Sequence, residues 1–157
     1  MKKILLSVAL FATALVQQSF AQETSKAQPS PLLTSYYNLK DALVSSNATA
    51  AAASSAAFVK ALNDIDKETV NDESRNALLT DANAISLSKD LKLQREKFAT
   101  LSTNMFALAK TVKLSADPVY QQYCPMKKAS WLSDNKAIKN PYYGSAMLTC
   151  GSVKETL

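Results

Sequence analysis

The sequence predicts an all-α protein: an antiparallel four-helix bundle with a small irregular C-terminal lobe rich in Cys and aromatic residues. Three observations carry this expectation. Apolar residues recur at helical spacing through four successive segments between residues 31 and 113. Only 2 Gly occur in 157 residues, too few for the positive-φ corners of a turn-rich β fold. The composition then changes at Pro118: both Cys, both Gly, the only Trp and four of the six Tyr follow it.

Each helix has its own signals. Ser30-Pro31 is a helix start, with Ser as N-cap and Pro at the first helical position, and Leu32, Tyr36, Leu39 and Leu43 follow on one face. Ser45-Ser46-Asn47 interrupts the pattern, and Asn47 can cap the next helix. That second segment is rich in Ala and Ser; Ala51, Ser55, Phe58 and Leu62 mark its inner face, and its small side chains let a neighbour approach closely. A third, weaker stretch runs from about Asp72 to Ile85. The fourth carries the clearest seam: Leu87, Leu91, Gln94, Phe98, Leu101, Met105, Leu108 and Val112. Gln94 alone breaks that face, as either a hydrogen-bonded core amide or a contact to the tail. Helices three and four are expected to merge or kink near Ile85–Ser88. The bundle therefore covers 31–113, the lobe covers 118–157, and together they form a single domain at 31–157.

Residues 1–21 read as a secretory signal peptide: Lys2 and Lys3, then an apolar run from Ile4 to Val16, then Ser19-Phe20-Ala21. The run is too short for a membrane anchor and no second long one follows, so no membrane span is expected in the mature chain. Residues 22–30 are polar and form a disordered lead-in. The protein is expected to be exported, in the periplasm or beyond. Loss of Lys2 and Lys3 lowers the net charge by two, from +5 to +3, which does not suggest a nucleic-acid partner. With no His and no glycine-rich phosphate loop, the chain is not expected to be an enzyme.

The chemistry lies in the tail. Pro125 pushes Cys124 towards an extended conformation, where Cys124 and Met126 face one side. Met147 and Cys150 are three apart and share a face on a helical turn. The turn Asn140-Pro141-Tyr142-Tyr143-Gly144 can fold the second pair back onto the first. Two thiols and two thioethers form a soft donor set that suits Cu(I) or Ag(I) better than Zn(II). The simpler reading is a Cys124–Cys150 disulfide contributing about 3 kcal/mol, with Met126 and Met147 as core filler. Lys127 and Lys128 can lower the Cys124 pKa and also repel a bound cation. Tyr123, Trp131, Tyr142 and Tyr143, with Tyr120 nearby, form an aromatic cluster that either packs the lobe or shields a soft cation.

Five tail elements together resemble a known family: Tyr123-Cys124-Pro125-Met126, Trp131-Leu132-Ser133, Ile138-Lys139-Asn140, Pro141-Tyr142-Tyr143-Gly144 and Met147-Leu148-Thr149-Cys150-Gly151. In the helical half, Tyr37–Val44 and Asp90–Ser102 resemble it too. The family is an uncharacterised exported bacterial domain, seen alone and at the C-terminus of CusB-like adaptors of heavy-metal efflux pumps. The resemblance implies a link to copper or silver export, with envelope efflux components as partners. Cys124-Pro125-Met126 is also similar to the short metal-binding motif Cys-Pro-Met-His, but Lys127 stands where His would be. Two functions stay open: a soft-metal binding protein using Cys124, Met126, Met147 and Cys150, or a disulfide-stapled interaction module of the envelope with no metal.

Overall fold

The computed structural model describes residues 30–157. The expected signal peptide and the lead-in up to residue 29 lie outside the described residues. Four helices come first: α1 (Pro31–Val44), α2 (Ala48–Asn63), α3 (Asp72–Ser86) and α4 (Leu91–Thr111). Then come β1 (Tyr120–Cys124), β2 (Ala129–Ser133), a 3-10 turn (Gly144–Met147) and β3 (Ser152–Thr156). Among the described residues no helix is long and apolar enough to cross a membrane.

Every helix start is fixed by a side-chain cap that satisfies an otherwise orphaned N–H. Ser30 Oγ accepts from Leu33 N–H at 3.2 Å, and Asn47 Oδ1 accepts from Ala50 N–H at 2.9 Å. Asn71 and Asp90 do the same for α3 and α4, each at 2.9 Å. Consecutive helices pack on one another through the faces that the periodicity marks. Leu32, Tyr36, Leu39 and Leu43 are fully buried, as are Phe58 and Leu62 of α2 and Phe98, Leu101 and Met105 of α4. The small α2 face lets α3 come near enough for Ser55 Oγ to donate to Ala82 O at 2.7 Å. Gln94 is a core amide rather than a contact to the tail: its Nε2 donates to Ala48 O at 2.9 Å and Ser88 O at 2.8 Å. Leu87 departs from the expected seam. Asp90 caps α4 at Leu91, so Leu87 falls in the α3–α4 turn and is 87% exposed.

The all-α expectation is overturned in the tail. In place of an irregular lobe, residues 120–156 carry a three-stranded antiparallel sheet in the order β2-β1-β3. The strands escape a periodicity search for a physical reason. The inward positions of β1 are Gln122 and Cys124, not aliphatic residues, and β3 (Ser-Val-Lys-Glu-Thr) is an almost fully exposed edge. The shortage of Gly misleads in the same way. The β1–β2 turn reaches positive φ at Lys128 (φ 55°), where Gly is the usual choice.

Sheet and helices share one core. Tyr36 stacks on Phe98 with ring centroids 5.3 Å apart, Phe98 meets Tyr142 at 6.0 Å, and Tyr142 meets Trp131 edge-on at 5.9 Å. The Tyr36 hydroxyl bonds Ser102 Oγ at 2.7 Å and accepts from Leu132 N–H of β2 at 3.1 Å. Lys40, buried on α1, reaches Asp41 at 3.1 Å and Asp134 beyond β2 at 3.8 Å.

Burial pushes the Tyr36 and Tyr142 hydroxyls well above their ordinary value of 10, and Tyr37 rises through burial and the nearby Asp134 charge. These raised values make the folded state hold protons that the unfolded chain releases near pH 10, so stability is intact below that pH and falls above it. Tyr36 and Tyr142 should each remove about 1.4 kcal/mol per pH unit above 10. Denaturant midpoints around pH 9 and around pH 11 check this, with the tyrosinate absorbance of Tyr36 and Tyr142 appearing only on unfolding.

Candidate functional site

The site forms where the sheet ends. Cys124 is the last residue of β1, the central strand, which is paired on both sides. β3 runs antiparallel to it, with Tyr123 opposite Ser152, so the residues just before β3 return alongside Cys124. The result is that Cys124 Sγ and Cys150 Sγ lie 3.5 Å apart although 26 positions separate them. Both are free thiols in this structure. The two sulfurs are close but unbonded in this structure, since a disulfide S–S bond is about 2.05 Å.

Asn140 holds the second thiol in place. Its Nδ2 donates to Cys150 O at 2.8 Å, its Oδ1 accepts from Tyr142 N–H at 2.8 Å, and its own N–H donates to Leu148 O at 2.8 Å. The loop is anchored to the bundle by Arg95. Its guanidinium donates to Pro141 O at 2.9 Å, to Leu43 O at 3.0 Å and to Ser46 Oγ at 2.9 Å. Gly144 (φ +56°) fits beneath this clasp, where a Cβ would lie 2.8 Å from Arg95 Nη2 and 2.9 Å from Val44 O. Gly151 (φ +153°) lets the chain pass Trp131, whose Cη2 a Cβ would meet at 2.9 Å. Sequence reasoning read Asn140 only as a turn residue and overlooked Arg95. The usable signal was Asn-Pro followed by Gly144, a tight turn whose carbonyls need donors from elsewhere.

The two sulfurs differ in character. Burial pushes the Cys124 thiol up, but donors outweigh it: the Lys127 N–H, the Cys150 thiol, the Asn140 side chain and the Met126 N–H bring it below its ordinary value of 9. The lysine charges do not cause this; the backbone of the Pro125–Lys128 turn does. Cys150 is raised, first by its hydrogen bond to Cys124, then by burial and by the Cys124 charge. The pair therefore favours a Cys124 thiolate that accepts an S–H from Cys150. Cys124 is wholly buried and Cys150 is partly exposed.

The methionines serve the site chiefly through their backbones. Met126 contributes its N–H, and Met147 O accepts from Cys150 N–H at 3.1 Å. The two residues are 63% and 37% exposed, so neither is core filler. The aromatic cluster divides. Trp131 and Tyr142 pack into the shared core, Tyr143 is half-buried, and Tyr123 faces the other way beneath Lys154 Nζ at 5.5 Å. Among the described residues no group of three or more His, Cys, Asp or Glu stands ready to hold a metal ion.

Residues 32–117 match the family described as a protein of unknown function, DUF3347. The chain belongs to the DUF3347 family. The matched stretch in this DUF3347 protein is the helical part and ends at Asp117, before β1, so Cys124 and Cys150 lie beyond it. No curated protein and no solved structure matches the chain.

Asn140→Ala removes the amide that holds Cys150 and leaves buried groups unpaired. It should cost about 1–3 kcal/mol in denaturant unfolding. It should also raise the Cys124 pKa by deleting one donor to that sulfur, measured from the thiolate absorbance of a Cys150→Ser background.

Proposed function

We propose that this protein captures a soft monovalent cation, Cu(I) or Ag(I), through the Cys124–Cys150 pair, as an exported binding protein rather than an enzyme. The observation that carries this reading is the 3.5 Å sulfur separation, with Cys124 favoured as the thiolate. The thiolate is the form that binds metal. A metal–thiolate bond is about 2.3 Å for zinc, so sulfurs at this spacing hold a cation at a bent angle, or a linear one after opening by roughly 1 Å. A two-sulfur set without imidazole or carboxylate favours a soft ion. Met126 and Met147 lie two and three residues from the two cysteines in the chain and are exposed, so their flexible thioethers are candidates for a third ligand.

The tail's resemblance to domains fused to CusB-like adaptors supports a place in copper or silver efflux, with envelope components as the partners that deliver or receive the ion. Lys127 and Lys128 oppose a free cation, which favours transfer from a partner over capture from bulk solution.

A Cu(I) competition titration of reduced mature protein against a chromophoric chelator tests the reading. One Cu(I) per chain is expected, with affinity lost in Cys124→Ser and weakened about tenfold or more in Met126→Leu/Met147→Leu. Absence of Cu(I) binding by the reduced protein would leave the pair as the staple of an interaction module.

A further inference from the structure

The two cysteines are unequal in access. Cys124 lies on the central strand, hydrogen-bonded on both sides and closed to solvent. Cys150 follows residues 145–149, all of them exposed, and is itself partly exposed. A molecule arriving from solution meets Cys150 first and reaches Cys124 only through it. The sulfurs need to approach by only about 1.5 Å to bond. The exposed turn before Cys150 can supply that movement, whereas β1 is pinned.

We propose that Cys150 is a thiol-modification site that takes a mixed disulfide from an incoming disulfide, and that Cys124 resolves the adduct into an internal Cys124–Cys150 bond. In the first step Cys150 loses its proton to water or buffer and its thiolate attacks one sulfur of the reagent RSSR. The Cys150–SR bond forms, the reagent's S–S bond breaks, and one RS⁻ leaves. In the second step Cys124 gives its proton to a departing thiolate and attacks the Cys150 sulfur. The internal bond forms, the Cys150–SR bond breaks, and a second RS⁻ leaves. Two protein thiols are oxidised and one disulfide is reduced to two thiols.

Cys124 suits the resolving role by position, because its sulfur already lies 3.5 Å from Cys150 on a strand held from both sides. Closure occupies both sulfurs, so an oxidised chain would release a soft cation. That corollary rests on the proposed function, while the exchange chemistry does not.

The test uses metal-free, reduced mature protein with oxidised glutathione, followed by mass spectrometry. Failure here therefore leaves the Cu(I) reading untouched. Cys124→Ser should accumulate a stable glutathione adduct at Cys150. Cys150→Ser should be modified at least about tenfold more slowly while folded and at an ordinary rate in denaturant. The unaltered chain should lose two thiols and retain no adduct, and peptide mapping of early samples should find any transient adduct on Cys150, a readout that needs no variant. Equal modification of folded Cys150→Ser and Cys124→Ser, an early adduct on Cys124, or a persistent adduct on the unaltered chain would overturn the proposal.

Discussion

The chain of contacts among four rings, from Tyr36 through Phe98 and Tyr142 to Trp131, is the feature on which the molecule depends. It runs from α1, across α4, through the 140s loop and into β2. Each ring pair contributes about 0.5–1.5 kcal/mol beyond simple burial. Its larger role is topological. A three-stranded sheet of five-residue strands is marginal alone, and β3 is almost wholly exposed. These rings give the sheet a core to share, and the Tyr36 hydroxyl fastens β2 to the bundle by a hydrogen bond as well as by packing. The thiol pair inherits its position from this arrangement, because Cys124 ends the strand beside β2 and Cys150 follows the loop that carries Tyr142.

Polar contacts refine what packing establishes. Arg95 clamps the loop's carbonyls to the end of α1, and Asn140 spans the loop from Leu148 to Cys150. Both are groups with several donors in fixed geometry, placed where irregular backbone would otherwise leave carbonyls unpaired. The family match covers the helices and ends at Asp117, and the two cysteines lie on the sheet and loop that follow it.

Much of the helical part was legible because helices advertise themselves locally. Ser30 and Asn47 cap where their residue types predict, and Tyr36, Leu39, Phe98 and Leu101 are buried on the faces that their spacing marks. Leu87 was misplaced because an apolar residue in register says nothing about where a cap will stop the helix, and Asp90 decided that. The sheet was illegible for the opposite reason. Its inward positions include Gln122, whose amide nitrogen is satisfied by Asn135 O at 2.7 Å, a contact that exists only in three dimensions. In the tail, Pro125 and the Asn140–Gly144 turn pointed towards the meeting of the cysteines. The sequence pointed to unequal sulfurs only through the charges of Lys127 and Lys128, whereas the lowering at Cys124 comes from hydrogen-bond donors, the backbone N–H of Lys127 first, against the opposing effect of burial.

The most direct test of a soft-cation site is X-ray absorption at the copper edge of the Cu(I)-loaded reduced protein, compared with the Cys150→Ser variant. A first coordination sphere of sulfur only is expected, containing both cysteine sulfurs, with loss of one short copper–sulfur distance in the variant. Nitrogen or oxygen ligands in the first sphere, or a spectrum unchanged by Cys150→Ser, would contradict the soft-cation site.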